Sequence, residues 1–478
     1  MGVTDILEIG KQGMDANRQG LTTSSNNISN ANTPGYSRQR AVLSTNDQPL
    51  QGQLRMQGVN VKQTIRVHDR FVQNQIVDQF QNTGAAKMRS DGLARVESAV
   101  HNEAFRVNDL LNGFFSDVRE LSANPEVSAL RSNVTFSAQE ASNGFRSLAH
   151  NLLSLREDLD GQIRVGVEQV NTLAREVADL NAKIAFYEGK GEPPLELMDR
   201  RDIAVGEIAK KMGFQDFVDN RDRVNLTAGG LGVLVNGTNY NELVVMRTPA
   251  NGDKAAGAYD IFVKDGSGLR LATKYLTQGE IGGLLHVRDK VISPNLKHLD
   301  AVAYEFASNV NEIHRSGIGS DGYNNRDMFD IPDGPEGASQ LIAVKQEILS
   351  NPSAIAVAGT PGSPGDNRVA LALASLQSDA LMVEDPISNP DGPVRQTLNE
   401  SLTGLVGRVG SQAEHEGNIY RHEEAVGTQL ENYRQSVSGV NLDEEAISML
   451  QFQSAFTASA KAMKVGDELL QTILSIKS

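Results

Sequence analysis

Cysteine and tryptophan are both missing from this chain, and only 5% of its 478 residues are aromatic. Without cysteine there are no disulfides, thiolate nucleophiles or zinc–cysteine sites in any redox compartment. So few aromatic rings suit long helices better than a deep ligand pocket. No long basic run offsets the net charge of -15, so no electrostatic grip on nucleic acid is expected. Nowhere do about eighteen apolar residues run together, so no transmembrane helix or membrane insertion is expected. The opening residues carry Asp5, Glu8 and Asp15 where a cleavable secretory signal needs an apolar core, which argues against the ordinary secretory route.

Catalytic patterns are likewise incomplete. Gly317 to Gly322 has dinucleotide-fingerprint spacing but follows a helical segment where the fingerprint needs a strand. Asp321 to Asp327 lacks the alternating acids and closing glutamate of a calcium loop. His415-Glu416 and His422-Glu423 each miss the second histidine of a zinc protease motif, since Ile419 and Val426 stand there. These residues therefore assign no catalytic group, no metal ligand and no cofactor, and the chain reads as a non-enzyme.

What is present is helical periodicity. Leu7, Met14, Leu21 and Ile28 recur every seventh residue, with small or polar Gly10, Asn17 and Ser24 alongside. Such a narrow stripe lets another helix approach closely but covers too little apolar surface to fold alone. The other terminus offers a partner: Leu442, Ala446, Met449, Phe456, Ala460, Met463, Leu470 and Leu474 follow three- and four-residue steps, interrupted by Gln453 and Asp467. Asn441 is placed to cap that helix, with Glu444 three residues on completing a capping box. Further helices are predicted over Phe71–Val100, Leu152–Ile184, Glu280–His314 and Leu398–Tyr433.

Between Phe214 and Gly283 the pattern turns strand-like, in runs such as Leu243-Val-Val-Met246 and Tyr259-Asp-Ile-Phe-Val263, with tight-turn signals at Asn236-Gly237 and Asp265-Gly266. Eight of the fifteen prolines fall between Pro332 and Pro393, marking exposed loops or a second small insertion. The expected fold is mainly α with an inserted β-rich domain, elongated and multi-domain, its long terminal helices paired as in a coiled coil. The expected division is an axial terminal-helix domain (1–70 plus 438–478), a helical bundle (71–213, 284–325 and 394–437), a β-rich insertion (214–283) and a Pro/Gly-rich segment (326–393).

The stretch Ser24-Ser-Asn-Asn-Ile-Ser-Asn-Ala-Asn-Thr-Pro-Gly-Tyr-Ser-Arg-Gln39 stops the first helix, because Pro34 cannot continue it and pushes Thr33 to extended backbone. Pro34-Gly35 fits the centre of a type II turn, and an irregular, β-containing arm is expected to follow through Leu50 to Val67. The same residues, with Asn32, Thr33, Pro34, Gly35 and Tyr36 at their heart, closely resemble the amino-terminal signature of the flagellar axial proteins. The carboxyl-terminal Gly439-Val-Asn-Leu-Asp-Glu-Glu-Ala446, including Asn441, Leu442 and Asp443, together with Gln451 to Lys461, looks like the terminal motif of the hook-associated protein 1 family within that group. Phe456 stands where that family often has tyrosine, which keeps the ring and loses a hydroxyl.

By resemblance the paired termini form the inner layer of an axial tube, the bundle the next layer and the β-rich insertion the outer surface. The resemblance also implies a structural subunit at the junction of hook and filament, needed for filament assembly. It implies self-assembly into a ring, contact with the hook protein and with a second junction protein, type III export to the cell exterior, and an export chaperone on the carboxyl-terminal helix. The rival readings are a hook or distal-rod subunit, a hydrolase carried by the insertion, and an exposed adhesive module. Terminal helices left unfinished in one chain are expected to order fully when neighbouring copies supply the missing surface.

Overall fold

The computed structural model describes residues 3–50, 53–191, 193–230, 232–247, 259–266, 268–389 and 392–477. The first helix, α1 (Val3–Ser29), leads into an antiparallel hairpin of β1 (Gln39–Leu50) and β2 (Gln53–Arg66). The predicted irregular arm is thus a continuous two-stranded ribbon, broken only by register shifts after Val42 and Thr45. Two very long helices follow, α2 (Arg70–Ala123) and α3 (Ser128–Glu188), then α4 (Leu195–Lys211).

These helices outrun the sequence reading, which missed 101–123 and 128–151. Asp69 starts α2 by accepting the Phe71 and Val72 amides through Oδ1, and Pro125 separates α2 from α3. At ~1.5 Å per residue α3 alone is about 90 Å long, so the molecule is elongated.

Seven short strands come next: β3 (Gln215–Val218), β4 (Val224–Ala228), β5 (Gly232–Asn236), β6 (Asn239–Tyr240), β7 (Glu242–Arg247), β8 (Tyr259–Asp265) and β9 (Gly268–Leu271). They form a four-stranded and a three-stranded antiparallel sheet in chain order. Asn181 of α3 fastens the first sheet, donating to the Val224 and Gly237 carbonyls and accepting the Val224 amide, and Asn171 does the same for the Leu243 backbone. Side-chain amides on a helix here replace missing strand partners.

The helix predicted over Glu280–His314 is divided into α5 (Gly279–His286) and α6 (Ser293–Ser316) by one π turn over Val287–Ile292. Pro294 explains the wider turn, since it has no amide to give and its ring excludes an ordinary carbonyl approach.

After α6 comes β10 (Ile318–Gly319), and the Pro/Gly-rich segment then carries β11 (Phe329–Asp330), α7 (Ala338–Leu341), β12 (Ala343–Val344), α8 (Gln346–Ser350), β13 (Ala356–Ala358), α9 (Arg368–Ser375) and β14 (Leu381–Glu384) and opens β15 (Pro393–Gln396). Much of it is core: Ile342, Ile348 and Ala354 to Val357 are buried and join the same cluster as α3 and α6. The chain closes with α10 (Leu398–Ser438) and α11 (Leu442–Lys477). Phe114, Phe115, Phe145, Phe306 and Phe329 form the aromatic centre of the core, Phe306 lying 5.1 Å from Phe329 and 6.0 Å from Phe145 between ring centres.

Candidate assembly site

Helix α1 is built from poor helix formers, with three glycines and a Thr-Thr-Ser-Ser-Asn-Asn run, so it depends on what it packs against. That partner is α11, running antiparallel, with Leu7 beside Gly466 and Gly20 beside Phe452. A Cβ added at Gly13 would sit 2.7 Å from Ser459 Oγ, and one at Gly20 would sit 2.6 Å from the Phe452 ring. Absence of a side chain is what lets the two backbones approach.

The buried face of α1 is accordingly made of small residues: Gly10, Gly13, Ala16, Gly20, Thr23, Ser24 and Asn27. Leu7, Met14, Leu21 and Ile28 flank that seam and are half-buried. On α11 Met449, Phe456, Met463 and Leu470 are half-buried toward α1, while Leu442 and Leu474 are exposed.

At the base of the pair the amino-terminal signature meets the carboxyl-terminal one. Gly35 takes φ +77° and the Tyr36 amide donates to the Thr33 carbonyl, which is the type II turn predicted, with Asn32, Thr33 and Pro34 on its exposed side. The Tyr36 hydroxyl donates to Asn27 Oδ1 at 2.9 Å, and Asn27 also holds the Gln39 amide and carbonyl. Burial, then the charges of Asp199, Glu196 and Glu445, push the Tyr36 phenol up to about 12, so it remains a donor.

Arg38 bridges the two motifs. Its Nε donates to Glu445 at 2.7 Å and its NH1 to Glu444 at 2.8 Å, while its backbone amide donates to the Ser438 carbonyl. Glu445 is buried and this ion pair compensates its charge. Asn441 does cap α11, accepting the Asp443 and Glu444 amides. The expected reciprocal bond from Glu444 is replaced by its bond to Arg38, so the capping box is half formed.

One further layer ties this knot to the bundle. Arg66 NH1 donates to Asp199 at 2.7 Å and Asp202 at 2.9 Å, and the Ser37 amide reaches Asp199 at 3.4 Å. Burial raises the Asp199 carboxyl against the pull of Arg66. A cleft of about 260 Å³ beside the turn is lined by Gly35, His68, Ile203, Lys210 and Arg434 among others. Asn27, Arg38, Glu444 and Glu445 were missed as site residues, although all four stand inside the recognised motifs. Arg66 and Asp199 are 133 positions apart and give no sequence signal.

The incomplete motifs resolve into local structure. Asp321 is held by Arg326 at 2.5 and 2.8 Å, while His415 and His422 are exposed on α10. Glu416 pairs with Arg89, and Glu423 accepts from Gln79. Ser401 Oγ, His298 and Asp385 do line up, at 2.9 Å and 3.7 Å, but all three are at most 2% exposed, so no substrate reaches the hydroxyl. They form a polar link between α6, the end of β14 and α10. Among the described residues no helix is long and apolar enough to cross a membrane.

Residues 93–329 match the model of the flagellar hook-associated protein FlgK helical domain, residues 7–36 that of the flagella basal body rod protein, and residues 433–476 that of the flagellar basal body rod FlgEFG protein C-terminal. The chain is 27% identical to flagellar hook-associated protein 1 of Bacillus subtilis, over 98% of this chain and 97% of the relative. It is 24% identical to the protein of the same name from Escherichia coli, over 99% of this chain and all of the relative. The flagellar hook junction protein FlgK from Burkholderia pseudomallei shares the fold, with TM-score 0.67 and 16% identity over 76% of this chain and all of that one. A helical-domain match at the centre, rod-type matches at both ends and near end-to-end agreement with curated relatives together make this chain a member of the flagellar hook-associated protein 1 family.

Proposed function

We propose that this chain is a structural subunit of the junction between hook and filament, assembling as a ring through its terminal helices, with no substrate turned over. The observation that carries the reading is the second apolar stripe of α11. Ile447, Leu450, Val465, Leu469 and Ile473 are all exposed. At about 100° per residue Ile447, Leu450 and Val465 lie on the side opposite the seam with α1, Leu469 lies at its flank, and Ile473 continues the seam's own face toward the tip. A helix that buries one apolar stripe and displays another is half of a larger helical assembly.

In this reading Leu7, Met14, Leu21, Ile28, Met449, Phe456, Met463, Leu470 and Leu474 complete their burial between neighbouring copies. The hook protein lies below and a second junction protein above. The α11 stripe also serves as the docking face for an export chaperone before assembly, and the subunit acts outside the cell after type III export. The central helical match favours this position over the hook and rod, because the two terminal matches are of rod type and do not distinguish them.

Deleting the gene tests the proposal. The expected strain is non-motile, with completed hooks and filament subunits shed into the medium. A strain without hooks would make the chain a hook or rod subunit, and normal swimming would refute the proposal.

A further inference from the structure

We infer that the Arg38–Glu445 bridge is a nucleation latch, the fixed point from which the terminal helix pair zips toward its free ends. The inference concerns how the assembly surface becomes ordered, and it rests on the reading that this pair is that surface.

Burial in the pair falls off at its free tips, while Gly10, Gly13 and Ala16 of α1 and Gly466 of α11 are still buried. Next to the latch, Thr23, Ser24, Asn27, Ser438 and Glu445 are buried. Toward the other end, the described α1 side chains before Gly10 are at most half-buried, and beyond Gly466 the described α11 side chains are exposed apart from half-buried Leu470. Yet the latch end of α1 has the weakest intrinsic preference for helix, because Thr22, Thr23, Ser24, Ser25, Asn26 and Asn27 compete for backbone hydrogen bonds. A segment of that composition does not nucleate its own helix.

The contacts that fix it are polar and come from both termini. Asn27 is held by Tyr36 and Gln39, and Arg38 is held by Glu444, Glu445 and the Ser438 carbonyl. The Arg38 carbonyl in turn accepts the Val67 amide, which closes the base of the hairpin. With the last residues of α1 and the first of α11 placed side by side, each further turn adds contacts without a new nucleation cost.

Hydrogen exchange of the full-length chain read by mass spectrometry tests this, comparing the native protein with R38Q, E445Q and the double variant. The native chain is expected to show protection falling from residues 20–38 and 438–455 toward both tips. Each single variant should exchange about tenfold faster in those two latch segments, with α2 and α3 unchanged and the double variant no worse than either single. Unchanged exchange in the latch segments of both single variants would overturn the inference, as would equal loosening of α2 and α3. A native chain protected to both tips, whose variants still loosen only at the latch end, would leave the latch standing while contradicting the unfinished ends on which the assembly reading relies.

Discussion

The bundle and the terminal pair are both made of long helices, yet they are held by different means. In the bundle, α2, α3 and α6 meet through large side chains, with Phe114, Phe115, Phe145 and Phe306 sealed inside one chain. In the pair, glycines of α1 meet Phe452, Ser459 and Met463 of α11, and Ile447, Leu450 and Val465 of α11 look outward. Apolar burial stabilises by roughly 25 cal/mol per Å², so the first arrangement is stable by itself and the second awaits more surface. The difference teaches that this molecule separates a finished scaffold from an unfinished connector, and that a polar knot at Arg38 joins them.

Substitutions should separate the two regions. Phe306→Ala should lower stability by about 3–5 kcal/mol through the cavity it leaves, seen as a large drop in the main thermal transition. Gly20→Leu should instead drive the helices of the pair apart against Phe452, costing ~1–3 kcal/mol there. The main transition should stay put while protease trims the first residues faster and further than in the native chain, and hooks should no longer accept the subunit.

Acid should weaken the scaffold selectively. His314 sits neutral in the core, its Nδ1 donating to the Arg326 carbonyl and its Nε2 accepting the Ala356 amide, and burial lowers its affinity for a proton. Burial lowers that of His298 as well. A ring that stays neutral folded but takes a proton unfolded contributes full stability above about pH 6.5, and that contribution is lost as pH falls below this value. The decline is at most ~1.4 kcal/mol per pH unit for each ring, visible as a falling melting temperature before the carboxylates titrate. Buried Asp160 and Asp300, whose carboxyls are raised chiefly by burial, oppose the trend at lower pH. His314→Gln should flatten the slope. Smallest of all, Asn441→Ala should remove the α11 cap at a cost of about 1 kcal/mol, read as faster amide exchange in the first turn of α11.

How much of this was legible in the sequence depended on the range of the interaction. Periodicity located the long helices because one face repeats locally, and Pro34-Gly35 announced its turn because proline and glycine fix backbone angles themselves. The seam of α1 was only partly placed by that same logic, which named Gly10 and Ser24 but not Gly13, Ala16 or Gly20. A search for large apolar residues finds Leu7, Met14, Leu21 and Ile28, whereas close helix approach selects the glycines between them. The bonds of Asn171 and Asn181 to strand backbone and the Arg66–Asp199 pair were invisible, since nothing local distinguishes these side chains from solvated ones. The Pro/Gly-rich segment read as exposed loops or a second small insertion because its elements are too short to show a period, although Ile348 and Val357 complete the core.

The sharpest test of a finished scaffold bearing an unfinished connector is limited proteolysis of the purified chain, repeated once it has added to isolated hooks. In the free chain, protease should first trim roughly the initial twenty and final twenty residues and leave the bundle with its β-rich insertion whole. After addition to hooks the same bonds should resist. Termini as resistant as the bundle in the free chain, or equally cleavable before and after addition, would contradict the account.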